Sequence, residues 1–348
     1  MNTRVRAISL FSGAGGMDLG FRRAGVKVVW ANDFNLAACE TYRANFGDEI
    51  RHGPIADFDY GRLPSCDLVF GGPPCQGFSV AGKMDPDDPR SQLVFEFQKV
   101  VEAKRPRFFV MENVAALGRL AKFAAVRERL LEGYRRMGYS VQFKILDSQY
   151  YLTPQRRERL IMIGTTGGAC TIMFPNPNTK LVTSRDVLKK FGPPGSVGNQ
   201  GVCEARISCA KNPVLRSSPY AGMLFNGLGR PIDLDRPCQT LPASMGGNKT
   251  PIIDTRRLKN PDAPDWLKMV HAKAMRGADV SRLKIPSFVR RITVSEAAAL
   301  QGFPPDFRFC GSKGEQYRQI GNSVPPPFAQ AIAESVVASF NAGKQRSK

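Results

Sequence analysis

Ala7-Ile8-Ser9-Leu10-Phe11-Ser12-Gly13-Ala14-Gly15-Gly16-Met17 decides the fold. Residues 7–10 read as a short apolar strand, the glycines as a turn, and residues 17–24 as a helix. Glycines there let the backbone take positive φ and approach a ligand closely. Ligands of open parallel sheets bind outside the carboxyl ends of the strands, which is where this turn falls. Plain tight turns use glycines in the same way. Nothing in the stretch favours a phosphate over an uncharged or zwitterionic ligand.

Outward from this turn the alternation continues. Strands are expected at 26–31, 67–70, 108–111, 141–146 and 160–164, and helices at 36–46, 92–103 and 120–137. Strands alternating with helices predict an α/β fold, a Rossmann-like and mainly parallel sheet covered on both faces. After Thr165 the chain becomes rich in Gly, Pro, Asn, Ser and basic residues, and the periodicity weakens. The expected organisation is a catalytic domain over 1–165, a smaller irregular domain over 166–290, and a C-terminal segment over 291–348 that returns to the first. That segment holds a helix over 293–302, with Thr293 or Ser295 as its cap, and a last helix over 328–340. The tail 344–348 is expected to be disordered.

Of the 348 residues, 50 are Lys or Arg and 30 are acidic, a formal net charge of +20. Such an excess suggests a polyanionic partner, nucleic acid before an anionic membrane, although a solubilising surface is the plainer reading. No apolar run is long enough for a membrane span or a signal peptide. The eight cysteines form no CxxC pair and there are only two histidines, so a metal site is not expected. The thiols read as reduced and cytosolic, most of them small buried hydrophobes.

One cysteine stands apart. Gly71-Gly72-Pro73-Pro74-Cys75-Gln76-Gly77-Phe78-Ser79 follows an apolar strand, and two prolines fix the backbone just before the sulfur. A thiol kept only for packing does not need that punctuation, so Cys75 is a candidate nucleophile. Glu112 follows the strand at 108–111 at the same sheet edge, as a general acid or as a cap or salt-bridge partner. In Gln155-Arg156-Arg157-Glu158-Arg159, strand alternation places Arg157 and Arg159 on one face, for a site or for phosphate contact or solvation. Asp33, ending the second strand, suits ribose hydroxyls or a helix N-cap equally, and Asp57 suits an adenine amino group.

In order along almost the whole chain, FSGAGG, GGPPCQGFS, ENV, QRRER, a variable region, Arg291 to Pro304 and Gln319 to Pro325 resemble the motif set of the DNA (cytosine-5) methyltransferases, of the bacterial restriction-modification type. The resemblance implies S-adenosyl-L-methionine as methyl donor, held by Phe11, Gly13, Gly15, Asp33, Phe34, Asp57, Pro74, Asn322 and Val324. It implies that Cys75 attacks C6 of a flipped cytosine, that Glu112 contacts N3 and N4, and that Arg157 and Arg159 hold the base and its phosphate. Gln76, Ser79, Arg90, Thr240 and Leu241 are implied DNA contacts, and the stretch 77–90 a lid over the DNA. Two departures are Asp33, where Glu is common, and Phe58 after Asp57 in place of a β-branched residue.

The implied partner is double-stranded DNA, read by the variable region, with a restriction endonuclease as a functional counterpart. A monomeric, cytoplasmic bacterial or phage enzyme, away from membranes, is expected. The serious rival is a tRNA-modifying relative of the same family. A silent DNA-binding protein leaves Cys75, Glu112 and Arg157 without a purpose, and an NAD oxidoreductase leaves the proline-cysteine turn without one.

Overall fold

In a computed structural model that describes residues 4–74, 92–166 and 171–346, the predicted alternation forms one seven-stranded sheet. Its elements in chain order are β1 (Arg6–Leu10), α1 (Gly16–Arg23), β2 (Lys27–Asp33), α2 (Leu36–Phe46), β3 (Ile50–His52), β4 (Leu68–Gly71), α3 (Leu93–Lys104), β5 (Phe108–Val114), α4 (Ala115–Arg119), α5 (Ala124–Arg136), β6 (Ser140–Asp147) and β7 (Glu158–Thr165). After these come α6 (Ser184–Leu188), β8 (Cys209–Val214), β9 (Met223–Phe225), β10 (Ile252–Asp254), α7 (Arg256–Lys259), α8 (Trp266–Met275), β11 (Val289–Arg291), α9 (Val294–Leu300), α10 (Lys313–Asn322) and α11 (Pro326–Arg346).

The large sheet has the order β3-β2-β1-β4-β5-β7-β6. Neighbours from β3 to β5 are parallel, and β7 runs antiparallel to both β5 and β6. The link between β6 and β7 contains no crossover helix, only a 3-10 turn at Ser148–Tyr150 and the residues up to Arg157. Parallel neighbours need a longer crossover, so this pair returns as a hairpin. The reversal sends the amino end of β7 to the edge where β1, β2, β4 and β5 have their carboxyl ends.

Side-chain alternation along the central strands feeds two cores. Ala7, Leu68, Phe70, Phe108, Val110, Ile161 and Ile163 point to one, shared with Met17 and Phe21 of α1, Tyr42 of α2, and Phe328, Ile332 and Val336 of α11. Ile8, Leu10, Val69, Phe109, Met111, Leu160 and Met162 point to the other, shared with Phe97 and Val101 of α3, Leu117 of α4, and Leu130 and Tyr134 of α5. Each buried large apolar side chain contributes about 1.5–3 kcal/mol of transfer free energy. Stacked rings at 4.1 Å mark both interfaces, Phe21 on Phe70 and Phe109 on Tyr134.

The chain divides into two compact units, Met1–Tyr151 with Arg157–Asn178 and Val324–Lys348, and Leu152–Arg156 with Thr179–Ser323. The chain therefore crosses between the units at 151/152, 156/157, 178/179 and 323/324, where the sequence suggested 165/166 and 290/291. Val324–Lys348 groups with the sheet unit. Residues 291–323 stay with the second unit, where Arg291 of β11 pairs with Ile252 of β10 and the Tyr317 hydroxyl of α10 donates to Ile292 O at 2.7 Å. That unit has its own core of Cys209, Leu224, Phe225, Ile252, Leu267, Val270 and Val289.

Local chemistry explains the remaining departures. The helix expected over 120–137 is α5 alone, preceded by α4 and a 3-10 turn at Ala121–Phe123, with Leu120 extended between them. Thr293, and not Ser295, caps α9: its hydroxyl accepts from Glu296 N at 3.1 Å while the Glu296 carboxylate accepts from Thr293 N at 2.9 Å. The expected disordered tail is helical as far as Arg346. No helix among the described residues is long and apolar enough to cross a membrane.

Helix α11 reaches the sheet through its contact with α1, and Gly20 sets how closely they approach. A Cβ at position 20 would lie 2.5 Å from Gln330 N and 2.6 Å from both Ala329 Cβ and Pro326 O. Backbone on the facing helix has nowhere to go. Gly20→Ala should therefore destabilise the protein by about 1–3 kcal/mol, the usual range for overpacking, measured as a lower urea midpoint at unchanged m-value.

Candidate active site

The turn after β1 is built on left-handed backbone. Phe11 and Gly13 both have φ of 54°, and Gly15, the N-cap of α1, has φ of 86°. Among the described residues a Cβ on Gly13 would meet nothing within 4 Å, whereas one on Gly15 would run into the Phe46 ring.

Asp33, the last residue of β2, fastens this turn. Its Oδ2 accepts from Gly13 N at 2.8 Å and its Oδ1 accepts from Asn35 N at 2.8 Å. The N-cap of α2 is Asn35, whose Oδ1 accepts from Ala38 N at 2.9 Å, so Asp33 is not the cap. Burial raises the Asp33 pKa, and the two amide donors and His52 pull the other way. Next to this carboxylate Phe34 stands 63% exposed, the most exposed aromatic among the described residues. Asp57 closes a 3-10 turn at Ile55–Asp57 and is exposed, and Phe58 packs edge-on against Trp30 at 5.5 Å. The departure at position 58 thus supplies a wall residue for the core.

A buried polar cluster supports the turn from below. Asp18, in the first turn of α1, accepts from the Ser9 hydroxyl at 3.0 Å and the Tyr42 hydroxyl at 2.9 Å. Ser9 and Ser12 hydroxyls share a hydrogen bond of 2.8 Å. Burial raises the Asp18 pKa from 3.8 to about 6 against the two hydroxyl donors and the charge of Arg22.

At the end of β4 the chain needs two glycines. A Cβ on Gly71 would strike Leu10 of the neighbouring strand, and one on Gly72 would lie 2.8 Å from Glu112 Oε2. Glu112 sits in β5, 9% exposed, with its Oε1 2.8 Å from Arg159 Nε. Val114 of β5 is the register partner of Arg159, so Glu112 and Arg159 form a diagonal cross-strand pair. Asn113 Nδ2 donates to Pro73 O at 3.2 Å and its Oδ1 accepts from Val114 N at 2.9 Å. The segment that runs into Pro74 is thereby held by Asn113 and passes close to the Glu112 carboxylate. Cys75, Gln76, Ser79, Arg90 and the expected lid at 77–90 lie outside the described residues.

Arg157 precedes β7 and does not belong to its alternation. Its amide donates to Asp147 Oδ1 at 2.9 Å, its carbonyl accepts from Ser148 N at 3.1 Å, and its side chain is buried. Glu158 turns away from the pair formed by its neighbour and makes a bidentate bridge with Arg119, 2.6 and 2.9 Å. Val324 is part of the core beneath the sheet.

Thr240, Leu241 and Asn322 belong to the second unit. Thr240 is exposed, its hydroxyl donating to Arg156 O at 2.8 Å, and Asn322 is exposed at the end of α10. Leu241 is a correction. Its side chain is 1% exposed and its amide donates to the buried Gln155 Oε1 at 3.3 Å, so it packs and offers no surface to DNA. Sequence reasoning assigned no role to Asn113, Asp18 or Gly72. The signal for Asn113 was there, an amide beside an acid inside an otherwise apolar strand.

A doubly wound sheet with carboxylates and a proline turn at its carboxyl edge defines an enzyme of the Rossmann-like α/β class. The chain belongs to the C-5 cytosine-specific DNA methylase family, whose profile matches residues 5–338. It is accordingly a DNA (cytosine-5-)-methyltransferase. It is 34% identical over 343 residues to the Type II methyltransferase M1.HphI of Haemophilus parahaemolyticus, covering 95% of this chain and 86% of that protein. Against the Type II methyltransferase M.NgoFVII of Neisseria gonorrhoeae the identity is 33%, covering 98% and 88%. Among solved structures, a DNA modification methyltransferase encoded within an E. coli prophage superposes with a TM-score of 0.69 at 23% identity, covering 97% of this chain and 99% of the other. S. pombe Dnmt2 methyltransferase does so with a TM-score of 0.63 at 19% identity, covering 97% and 99%; both likenesses establish the fold.

Two outcomes test this geometry. Gly72→Ala displaces the Glu112 carboxylate, and a shift of about 1 Å at a reacting group costs on the order of 10²-fold in rate. Single-turnover methyl transfer should fall by that order while the urea midpoint moves little. Asp18 has a folded pKa above its ordinary value, so its stabilising contribution is full below pH 3.8 and is lost as pH rises through about 6. Relative to Asp18→Asn, the wild type should lose about 1–3 kcal/mol of unfolding free energy between pH 4 and pH 7, read from urea titrations across that range.

Proposed function

We propose that the protein transfers a methyl group from S-adenosyl-L-methionine to C5 of a cytosine within a specific double-stranded DNA sequence, protecting that DNA from a cognate restriction endonuclease. The observation that carries this reading is Glu112: a buried carboxylate, oriented by Arg159, against the glycine that opens the proline-cysteine turn.

C5 of cytosine is not nucleophilic until C6 has been attacked. In the proposed reaction the Cys75 thiolate adds to C6 of an extruded cytosine. Glu112 contacts N3 and the exocyclic N4, so that electron density released by the addition accumulates at C5. When bound, S-adenosyl-L-methionine would supply an electrophilic methyl group to that carbon, its sulfonium leaving as the neutral thioether S-adenosyl-L-homocysteine. Loss of the C5 proton and β-elimination of the thiolate then restore Cys75. Arg159 keeps Glu112 in place, Asn113 keeps the turn in place through Pro73, and Arg157 is assigned to the base and its phosphate.

The methyl donor fits the first turn. Nothing among the described residues crowds Gly13, Asp33 retains acceptor capacity beyond its two amide donors, and Phe34 offers an exposed ring for stacking. The turn carries no cation to match a pyrophosphate. Phe11, Gly15, Asp57, Pro74, Asn322 and Val324 complete the proposed binding set, Val324 by packing beneath it. Gln76, Ser79, Arg90 and Thr240 are the proposed DNA contacts. Action as a monomer in the bacterial cytoplasm belongs to the same reading.

Cys75→Ser should abolish methyl transfer and leave DNA binding within a few-fold of wild type. Retained turnover would remove Cys75 as nucleophile. Duplex DNA bearing 5-fluorocytosine at the target position should trap a denaturant-stable adduct with the wild type and none with the variant. Labelled-methyl transfer offered to genomic DNA and tRNA together should label DNA, and label in tRNA alone would transfer the reading to RNA.

A further inference from the structure

Beneath the turn after β1, three elements meet at one carboxylate. Asp18 of α1 is fully buried, and it accepts from Ser9 of β1 and Tyr42 of α2. Ser9 passes the connection on, because its hydroxyl lies 2.8 Å from that of Ser12, which belongs to the turn itself. Ser12 N donates to Asn32 O, and Ser12 O accepts from Gly15 N, both at 2.9 Å. The next residue, Gly13, donates its amide to Asp33. A buried hydroxyl relay therefore runs from Asp18 to the backbone proposed to hold the methyl donor.

The hydrogens of this relay have two arrangements. A hydroxyl has one hydrogen to give, and a carboxylate has none. With Asp18 ionised, Ser9 donates to Asp18 Oδ2 at 3.0 Å, Tyr42 donates to Oδ1 at 2.9 Å, and Ser12 donates to Ser9. Every hydrogen then has a close acceptor. Protonated Asp18 must donate instead. Tyr42 already accepts from Arg22 at 3.5 Å, and its own hydrogen has no second acceptor among the described residues. The proton therefore goes to Ser9, whose hydrogen turns to Ser12. Ser12 is left with Ser9 O as its acceptor among the described residues, at 3.3 Å, a long bond for a hydroxyl. One proton on Asp18 thus reverses the relay and ends it in a weak bond inside the turn.

Few charges surround this carboxylate. Arg22 acts on Asp18 and is itself shared with Glu49 at 3.4 Å. Asp33, which feels the charge of His52, meets the turn at Gly13. Helix α11 brings apolar Phe328 and Ile332 to this core, and its Glu334 is exposed and bonded to Gln330. Burial raises the Asp18 pKa to about 6. The ionised form therefore disfavours folding, yet it is the form that orders Ser12.

We infer that Asp18 is a positioning residue for the methyl donor: its carboxylate, acting through Ser9, orders Ser12 and so sets the turn for binding. The inference rests on S-adenosyl-L-methionine being held at this turn. Donor affinity should be full above the Asp18 pKa and fall as pH drops through about 6. If binding lowers that pKa by about one unit, the loss is about tenfold.

The test titrates S-adenosyl-L-homocysteine into the full chain by calorimetry between pH 7 and pH 5. Wild type should weaken about tenfold over that range. Asp18→Asn carries no charge and donates in place of accepting at one atom. It should bind about tenfold more weakly than wild type at pH 7 and show no pH dependence. Ser12→Ala cuts the relay at the turn and leaves Asp18 with both of its donors. Its unfolding free energy should keep the pH dependence of wild type, whereas its affinity should lose it. A residue that only packs would move both together. Without ligand, the Ser12 amide resonance should titrate with a midpoint near 6 in wild type and stay still in Asp18→Asn. If Asp18→Asn does not fold, Ser12→Ala and the wild-type resonance decide.

A pH-dependent affinity that survives in either variant belongs to Asp33 or His52 and overturns the inference. So does a wild-type affinity that ignores pH, or a Ser12 amide that does not titrate. Failure of the donor reading looks different: wild type whose Ser12 amide titrates, but which binds no S-adenosyl-L-homocysteine at any pH, keeps the relay and removes the donor from this turn.

Discussion

Strands β1, β4 and β5 bury both of their faces, and the remaining architecture follows from that constraint. A strand in this position can keep a polar side chain only where it is hydrogen-bonded, as Ser9 is, so its remaining side chains are apolar, and Ile8 and Ala7, Val69 and Phe70, Phe109 and Val110 divide between two cores. Helices must then cover both faces. One of the covering helices, α11, comes from the far end of the chain, and Gly20 admits it. With both faces closed, the sheet can meet ligands only at its edges, where the parallel strands end in Phe11, Phe34 and Pro73.

The carboxylates near that edge are each satisfied by different chemistry, and the difference suits different tasks. Asp33 accepts from two backbone amides and so fixes the shape of the glycine turn. Glu112 is oriented by a guanidinium across a strand pair and lies against Gly72. Asp18 accepts from two side-chain hydroxyls, and burial pushes its pKa up to about 6 against them and the charge of Arg22. Polar groups of this kind are costly unless satisfied. Their concentration beside the ends of β1, β2, β4 and β5 separates a working edge from the rest of an apolar sheet.

The second unit follows another economy. Its strands are short, two pairs of them, and much of its cohesion comes from side chains bonded to backbone carbonyls. Arg291 joins the segments around Ala205, Asn226 and Thr250 into one body. Such bonds carry no periodic signature. Hydrophobic alternation therefore located the sheet strands at 7–10, 26–31, 67–70 and 108–111, and left 166–290 nearly blank. The same gap explains Leu241: a polar neighbourhood in the sequence hid a residue whose backbone is bound by a buried glutamine.

By itself the sequence determined the alternation of strands and helices, the glycine turn after β1, and the order of motifs that marks the family, because each is written in local residue spacing. It also singled out Cys75 through its prolines, and the acid at Glu112. Only the tertiary structure decided how Arg159 meets Glu112. That depends on β7 running against β5, which brings the amino end of one strand to the carboxyl edge of the others. Strand direction is set by which connection can close and which faces can be buried, and both are properties of the assembled sheet. The clamp of Asn113 on Pro73 and the unpaired charge of Arg291 have the same origin, since each joins residues that are distant in sequence and adjacent only after folding.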